Sequence, residues 1–190
     1  MNPLRKIGLY GGTFDPIHHG HLILAREALE MLGLDRVVFI PAGVSPHKLA
    51  RPPAPARARC EMLAASIAGE ESFAWDDCEI RRSGPSYAID TVRGIQARHP
   101  EAALFFFIGE DNLAALDTWK EITALRQAVQ FVVFSRSAVP PNHPFPSILR
   151  RVDISSTDIR NRIATGRSVR YLLPEAACAI LSTHLLYRNE

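Results

Sequence analysis

The sequence predicts a doubly wound α/β protein, in which one parallel sheet is covered by helices on both faces and a small helical part lies near the C-terminus. Short apolar runs alternate along the chain with longer runs of helical period, the order typical of this class. Runs such as VVFIPA (37–42) and ALFFFIG (103–109) are apolar at every position, as parallel strands buried on both faces are. The 190 residues, 47% of them hydrophobic, suffice for one domain spanning 1–190.

The strands are predicted from apolar or β-branched runs that end at glycine, proline or polar residues. The run LRKIGLY (4–10) precedes a glycine pair, and VVFIPA meets Pro41 near its end. The run RRVDI (150–154) is short and polar, and we expect it at an edge of the sheet. In chain order the predicted strands are 4–10, 37–42, 73–80, 103–109, 131–135 and 150–154.

The helices are predicted from apolar residues that recur every three or four positions. In the first helix Leu22, Ala25 and Leu29 share one face, and Gly33 is a stop signal. In the last helix Pro174 suits the first turn, where its missing N–H is no loss. In chain order the predicted helices are 20–33, 55–68, 86–99, 110–127 with a break near Asp117, 155–166 and 174–187.

Charge, hydropathy and cysteine content exclude several classes of protein. Lysine and arginine number 22 against 20 acidic residues, a net charge of +2, so no broad basic surface predicts a nucleic-acid partner. The most apolar stretch, AALFFFIG (102–109), is too short to cross a membrane. Cys60, Cys78 and Cys178 form no Cys-x-x-Cys pair, which argues against disulfides and for a reducing cytoplasm. No sequence feature predicts an oligomeric state.

The densest cluster of chemistry-bearing residues is GGTFDPIHHGH (11–21), between the first strand and the first helix. Parallel sheets bind ligands beyond the carboxyl ends of their strands. Gly11 and Gly12 let the backbone approach a ligand, and the first amides of the helix form an anion site. His18 and His21 lie about one helical turn apart, so both can face one bound group. We interpret the cluster as a phosphate site.

Other interpretations of this cluster have specific weaknesses. A glycine pair after a strand can simply form a turn. A dinucleotide-binding dehydrogenase needs Gly-x-Gly-x-x-Gly and an acid after the second strand, and the sequence has neither there. No Walker A sequence is present. Zinc bound by His18 and His21 would need further ligands that the sequence does not make obvious.

The second cluster is ISSTDIRNRI (154–163), at the start of a short predicted helix. Ser155 or Ser156 is a suitable N-cap, so the pattern can mean no more than a well-capped helix. Arg160 goes beyond that, because it lies four residues after Ser156 and three after Thr157. Hydroxyls, amides and a guanidinium then meet at one helix end, which predicts a second anion site. Two such sites suggest a polyphosphate between them.

Two further candidates are weaker. The segment SPHK (45–48) places Lys48 in a long proline-rich loop, 43–56, where a solvated charge is the simpler interpretation. Trp119 follows a buried strand, and it either packs in the core or offers a flat face to a ring.

These residues resemble those of a known family. GGTFDPIHHGH resembles the (His/Thr)-x-Gly-His signature of the nucleotidyltransferase superfamily, and ISSTDIR resembles its C-terminal Ser/Thr-x-x-Arg motif. The resemblance extends over the chain, and within it the sequence is most similar to the bacterial nicotinate mononucleotide adenylyltransferases. The segments that extend it are SPHK, SGPSYAIDT (83–91), FFFIGEDNL (105–113), LDTW (116–119) and VRYLLPEA (169–176).

The resemblance implies a Rossmann-like sheet of the nucleotidyltransferase type and a reaction of ATP with nicotinate mononucleotide that yields deamido-NAD and pyrophosphate. It implies Mg²⁺ carried by the ATP phosphates. The residues it places against ATP and the incoming nucleotide are Gly11, Gly12, Thr13 and Phe14. Those it places on the phosphates are His18, His21, Ser156, Thr157, Arg160 and Lys48. Those it places on the nicotinate nucleotide are Thr91 with neighbouring amides at the pyridine carboxylate, Trp119 stacked on the pyridine ring, and Asp111 at the ribose.

The sequence departs from the family pattern at two positions, and it leaves alternatives open. Ser45 stands where relatives often have proline, and Glu110 stands where they often have a small residue or proline. An acid at position 110 would disfavour the nicotinate carboxylate and leave the amide form more competitive. The alternatives are a phosphopantetheine or nicotinamide mononucleotide adenylyltransferase, against the first of which Trp119 argues, and a non-catalytic nucleotide sensor, against which His18 and His21 argue.

Overall fold

Parallel strands form a six-stranded sheet in the computed structural model, which describes residues 4–43, 52–135 and 143–188. The strands are β1 (Lys6–Gly12), β2 (Arg36–Pro41), β3 (Phe73–Trp75), β4 (Ala103–Gly109), β5 (Gln130–Ser135) and β6 (Ser147–Leu149). Their order across the sheet is β3-β2-β1-β4-β5-β6, and every neighbouring pair is parallel. The predicted doubly wound α/β fold is confirmed, and the strand order reverses between β1 and β4.

Helices connect the strands and cover both faces of the sheet. They are α1 (His19–Leu32), α2 (Ala56–Ile67), α3 (Cys78–Arg81), α4 (Ala88–Arg98), a 3₁₀ helix (Glu110–Thr118), α5 (Ile122–Ala128), α6 (Ser156–Ala164) and α7 (Glu175–Thr183). Helices α1, α2, α6 and α7 pack in one hydrophobic cluster, while α4, the 3₁₀ helix and α5 pack in another. Strand β4 joins the two clusters: Phe105 and Phe107 belong to the first, and Leu104, Phe106 and Ile108 to the second.

Two predicted strands lie elsewhere than expected. The edge strand is 147–149, not 150–154, because Val133 N–H donates to the carbonyl of Pro146 and pairing with β5 ends where Arg150 N–H donates to Ser135. The predicted strand 73–80 stops at Trp75. Just beyond it, the Asp76 carboxylate accepts a hydrogen bond of 2.8 Å from Cys78 N–H, which turns the chain into α3.

The predicted helices 110–127 and 174–187 are also modified. The first divides into the 3₁₀ helix and α5, and the break falls at 119–121, where Glu121 has a left-handed φ of 51°. The second begins at Glu175, with Pro174 as its N-cap instead of within the predicted first turn, and it ends at Thr183. The remaining residues form turns, in which Leu186 N–H donates to the Leu181 carbonyl. As a result, Asp111 in the 3₁₀ helix lies just after β4, and Tyr187 in the turns after α7 reaches Asp15 beyond the end of β1.

All three cysteines, Cys60, Cys78 and Cys178, are free. Burial raises the pKa of the Cys78 thiol to about 11, so this thiol stays protonated and unreactive at neutral pH. Within residues 4–43, 52–135 and 143–188, no helix is both long and apolar enough to traverse a bilayer.

Strand β1 packs so closely on its neighbours that one position has no room for a side chain. A Cβ atom on Gly8 would lie 2.5 Å from Cζ of Phe107 and 2.9 Å from Cδ1 of Leu34. Both neighbours are buried core residues, so neither can move without opening a void. Glycine at this position therefore sets the distance between the central strand and the core beside it.

We expect Gly8→Ala to lower the free energy of unfolding by about 1–3 kcal/mol, because the added methyl group overpacks the core. Urea denaturation checks this. Gly94→Ala is the matched control: Gly94 lies in α4, and nothing described lies within 4 Å of a Cβ there. That variant should gain about 0.5–1 kcal/mol from helix propensity. Equal effects of the two substitutions would contradict the packing argument.

Candidate active site

The candidate site lies at the carboxyl edge of the sheet, where the strand order reverses. Strand β1 ends at Gly12 and β4 ends at Gly109, and the chain leaves them in opposite directions toward α1 and the 3₁₀ helix. Such a switch point opens a crevice between the two departing loops. The predicted phosphate cluster, 11–21, comprises the end of β1, the loop after it and the first residues of α1.

The loop after β1 is held in one conformation by aromatic packing. Phe14 has a left-handed φ of 47°, which is costly for an aromatic residue unless its surroundings enforce it. Its ring is buried and meets Tyr10 edge-on at 5.5 Å and Phe39 at 5.7 Å. The backbone is anchored as well, since Ala42 N–H donates to the Gly12 carbonyl at 2.8 Å. The backbone amides of this loop are therefore preorganised.

The two predicted histidines lie together at the start of α1. His18 is the N-cap and is 5% exposed, and its ring stacks on that of His21 at 3.7 Å between centroids. His18 N–H donates to His21 Nδ1 at 3.2 Å. Because Nδ1 is the acceptor, the proton of a neutral His21 ring is on Nε2, which can donate to an anion. Phe14 and Tyr10 hold the same ring edge-on at 5.1 and 6.0 Å.

The start of α6 lies beside this loop, although more than a hundred residues separate them in sequence. Ser155 is the N-cap, and its hydroxyl accepts from Asp158 N–H at 3.1 Å. The hydroxyl of Ser156 donates to the Pro16 carbonyl at 2.9 Å. The sequence left the choice of cap open, and the structure gives capping to Ser155 and the interhelix contact to Ser156.

Arg160 makes the second connection between the two clusters. Its Nη1 donates to the Asp15 carbonyl at 2.7 Å, and its Nη2 donates to the Thr157 hydroxyl at 3.1 Å. The guanidinium also lies 3.7 Å from the Asp15 carboxylate. The positive ends of α1 and α6, two histidines and a guanidinium thus gather at one end of the crevice, which is an arrangement suited to a polyanion.

Asp15 is a junction of the loop. Its Oδ1 accepts from Ala54 N–H at 3.0 Å and from the Tyr187 hydroxyl at 2.6 Å. Burial and this hydrogen bond to Asp15 raise the pKa of Tyr187 far above its ordinary value, so the phenol remains a donor at every physiological pH. The loop is therefore bound by groups from α6 and from the turns after α7.

Thr91 has a structural setting that the sequence did not predict. It is 1% exposed, and its hydroxyl donates to Glu79 Oε1 at 2.7 Å. The hydroxyl is therefore bonded inside the fold, and the contact of Thr91 with a pyridine carboxylate stays a prediction. The start of α4 remains at this edge, because a helix between parallel strands begins at the carboxyl ends. Its first-turn amides are the neighbouring groups that stay suitable for an anion.

The other predicted nucleotide contacts follow β4. Trp119 is half-buried and meets Phe106 and Phe131 edge-on at 6.0 and 6.3 Å. Asp111 is exposed at the strand end, and its Oδ1 accepts from Asn112 at 3.1 Å. Trp119 is thus a core-packing residue with a remaining exposed part, and the two interpretations of it are compatible.

Glu110 is an exposed acid beside Asp111, and its carboxylate accepts from the Ser135 hydroxyl at 2.9 Å. The hydrogen bond directs Glu110 toward the end of β5. Lys48 and Ser45 lie outside the described residues. Across the described ranges, no three His, Cys, Asp or Glu side chains are close enough to hold a metal ion together.

Sequence reasoning missed two buried charged residues near the site. Arg59 is 2% exposed, and its guanidinium donates to backbone carbonyls around the loop. A signal was present, because Arg59 precedes Met62 by three and Leu63 by four positions and so lies on the apolar face of α2. Glu79 is also buried, and no periodicity marks it. For Tyr187 the sequence gives no signal, because its partner is 172 positions away.

Comparisons with known proteins agree with one another. The profile of the family described as cytidylyltransferase-like matches residues 9–162. A protein of Thermus thermophilus named "probable nicotinate-nucleotide adenylyltransferase" is 43% identical over 187 residues, 96% of this chain and 100% of that protein. A protein of Bacillus pumilus with the same name is 40% identical over 189 residues, 98% of this chain and 100% of that protein.

Solved structures share the fold. The Plasmodium falciparum nicotinic acid mononucleotide adenylyltransferase complexed with NaAD has a TM-score of 0.79 at 17% identity and covers 96% of this chain and 97% of its own. The same enzyme complexed with APC has a TM-score of 0.76, also at 17% identity, with the same coverage. At this identity the likeness concerns the arrangement of the backbone.

The buried Glu79 makes stability depend on pH. Burial raises its pKa above the ordinary 4.5, against the opposing hydrogen bonds from Thr91 and Ser86. The folded protein then holds this proton more tightly than the unfolded chain does, so the contribution to stability is complete below about pH 4.5 and is lost as pH rises through the folded pKa.

We expect Glu79→Gln, which keeps an acceptor for Thr91, to gain stability relative to wild type between pH 4.5 and 7. The gain should be about 1.4 kcal/mol for each unit by which the pKa is raised. Urea denaturation at both pH values measures it. Glu71→Gln at an exposed position is the control and should follow the wild-type pH dependence. If Glu79→Gln also follows it, burial does not act on this carboxyl as described.

Proposed function

This chain belongs to the nicotinate-nucleotide adenylyltransferases of the cytidylyltransferase-like family, and from that premise we propose that it transfers the adenylyl group of ATP to nicotinate mononucleotide. The products are deamido-NAD and pyrophosphate, and the reaction is a step of NAD biosynthesis. The observation that carries the proposal is the joining of two helix N-termini, with His18, His21 and Arg160, at the switch-point crevice.

The chemistry requires charge stabilisation more than proton transfer. The nucleophile is an oxygen of the nicotinate mononucleotide phosphate, a group whose second pKa is about 6, so it is mostly a dianion at neutral pH. This oxygen bonds to the α-phosphorus of ATP, and the bond from that phosphorus to the bridging oxygen of pyrophosphate breaks. No general base is needed, because no proton has to leave the nucleophile. Positioning and electrostatic stabilisation supply the rate.

The proposed roles on the ATP side follow from the hydrogen-bond donors and cations at the loop after β1 and at the starts of α1 and α6. The α-phosphate would approach Gly11 and Gly12 at the end of β1 and the amides of Thr13 and Phe14 in the loop after it. His21 offers Nε2–H, and Arg160 offers the part of its guanidinium not turned to Asp15. Each of these groups is a donor or a cation, so negative charge that builds on the phosphoryl oxygens during transfer is stabilised more than the charge of bound ATP.

His18, Ser156 and Thr157 support this arrangement from beside it, His18 by stacking on His21 and Ser156 by its bond to Pro16. We also propose that Lys48 contacts a phosphate. This site offers mostly hydrogen-bond donors and cations, and the Asp15 carboxylate already accepts a hydrogen bond from Tyr187. Mg²⁺ therefore fits here as an ion held by the ATP phosphates themselves. When bound there, it neutralises part of the phosphate charge.

The proposed acceptor side lies across the crevice. We propose that Trp119 stacks on the pyridine ring with its exposed part, that Asp111 accepts from ribose hydroxyls, and that the first amides of α4 meet the pyridine carboxylate. Thr91 then acts on α4 from inside, through Glu79. The free cysteines are compatible with a reducing cytoplasm as the place of the reaction.

Pyrophosphate release with ATP and a panel of acceptors tests the activity. We expect turnover with nicotinate mononucleotide to exceed that with nicotinamide mononucleotide and phosphopantetheine. Preference for the amide substrate would identify a nicotinamide enzyme and would implicate Glu110 at the pocket. Binding of ATP without pyrophosphate release from any acceptor would indicate a nucleotide sensor and would refute the proposal.

We expect His21→Ala to lower kcat by about 30- to 1,000-fold, because it removes about 2–4 kcal/mol of transition-state stabilisation. Steady-state kinetics at saturating ATP measures the effect. His99→Ala is the control: His99 is the C-cap of α4 and lies at the opposite edge of the sheet. A His21→Ala variant that retains most of its turnover would remove His21 from the proposed role.

We expect Trp119→Ala to weaken binding of nicotinate mononucleotide by about 1–3 kcal/mol, the value of stacking a base on an aromatic ring, and to spare ATP. Separate titrations of the two ligands measure this. Trp75→Ala is the matched control, because Trp75 is an indole at the β3 edge that is 40% exposed. Equal losses for both ligands in Trp119→Ala would contradict the stacking assignment.

A further inference from the structure

Arg59 is a buried cation that the proposed chemistry does not use. It lies in the first turns of α2, and it is 2% exposed, less than any other charged side chain among the buried residues described. None of the described carboxylates forms an ion pair with Arg59, and the Asp15 carboxylate acts on its charge from farther away. Burial lowers the pKa of Arg59 accordingly. A guanidinium in this position needs another source of compensation.

Three backbone carbonyls supply that compensation. Nη1 donates to Thr13 at 2.7 Å, Nη2 donates to Ala42 at 3.0 Å, and Nε donates to Ala54 at 3.0 Å. These carbonyls belong to three separate segments: the loop after β1, the residue after β2, and the segment that leads into α2. One planar group therefore fixes three pieces of chain at the carboxyl edge of the sheet.

An apolar residue here would avoid the cost of burying a charge, but it would leave three backbone carbonyls without their donor. Moving a cation out of water is expensive, and a well-packed hydrophobic residue of similar volume often stabilises a fold more. What an apolar residue cannot do is hold the Thr13, Ala42 and Ala54 carbonyls at fixed distances. What Arg59 contributes is therefore a fixed arrangement of these three carbonyls.

Arg59 fixes the geometry of the loop after β1, residues 13–18, which we call the phosphate loop. Thr13 directly precedes Phe14, whose left-handed φ of 47° sets the direction of the following amides. On the other side of Phe14, Asp15 is held by Arg160 and Tyr187. The loop is thus held before Phe14 by Arg59 and after it by α6 and Tyr187.

We infer that Arg59 is a positioning residue for adenylyl transfer, holding the Thr13–Phe14 backbone in the orientation in which its amides meet the α-phosphate. The inference rests on the proposed function. Arg59 touches neither substrate, so its effect passes through the Thr13 carbonyl. Because displacement of a catalytic group by about 1 Å can cost about 100-fold in rate, loss of this contact should lower kcat more than stability alone explains.

The test compares Arg59→Met with Met62→Ala. Both residues are buried in α2, and we expect both substitutions to destabilise the fold, but the apolar side chain of Met62 cannot hydrogen-bond the phosphate loop as Arg59 does. Arg57→Met is a second control, which removes an exposed arginine paired with Glu61 on the same helix. Melting temperature, kcat and KM for both substrates are measured for each variant well below its Tm.

We expect Arg59→Met to lower kcat at least about tenfold, whereas Met62→Ala, with a similar fall in Tm, keeps kcat within about twofold of wild type. Arg57→Met should match wild type in every measurement. The positioning role is refuted if Arg59→Met keeps wild-type kcat, or if kcat falls in step with Tm in both Arg59→Met and Met62→Ala.

Arg59→Lys carries the same test if Arg59→Met does not fold. An ammonium group keeps the charge but loses the planar fork, so it should restore Tm more fully than kcat. Full recovery of kcat in Arg59→Lys would show that charge alone suffices and would overturn the inference. Wild-type protein without pyrophosphate release would refute the proposed function instead, so the two failures are distinguishable.

Discussion

The structure depends on the connection between the loop after β1 and the start of α6. Two hydrogen bonds make it, from Arg160 to the Asp15 carbonyl and from Ser156 to the Pro16 carbonyl. Neither anion cluster is complete without it, because each contributes one helix end and part of the positive charge. Both hydrogen bonds use backbone carbonyls as acceptors, and the Asp15 carboxylate lies 3.7 Å from the same guanidinium, so Arg160 is held by the loop through its backbone and through one ion pair.

Much of the fold could be predicted from the sequence because parallel strands buried on both faces need apolar residues at every position. That requirement is visible in ALFFFIG, and the predicted strand there has the observed bounds, Ala103–Gly109. A strand at the edge of the sheet does not need apolar residues at every position, so this pattern is absent there. The pairing of β6 is set by the hydrogen bond from Val133 N–H to the Pro146 carbonyl, a backbone contact that the pattern of side chains does not reveal.

The candidate site divides in the same way. Motif residues such as His21 and Arg160 could be found because helix ends and spacing bring them to one edge, whatever the details of packing. The tasks of Thr91 and Arg59 depend on which buried groups meet inside the fold, Glu79 for the first and backbone carbonyls for the second. Such pairings are long-range and have no period, so a single sequence does not reveal them.

The bond between Tyr187 and Asp15 has a consequence for biosynthesis of the protein. Its partners are separated by 172 positions, so Asp15 leaves the ribosome well before Tyr187 does. A nascent polypeptide can pair its first strands during translation. The phosphate loop gains its hydrogen bond from Tyr187 only when the turns after α7 have been synthesised. The Tyr187 contact is therefore added only after Arg59 and Arg160, which hold the same loop, have been made.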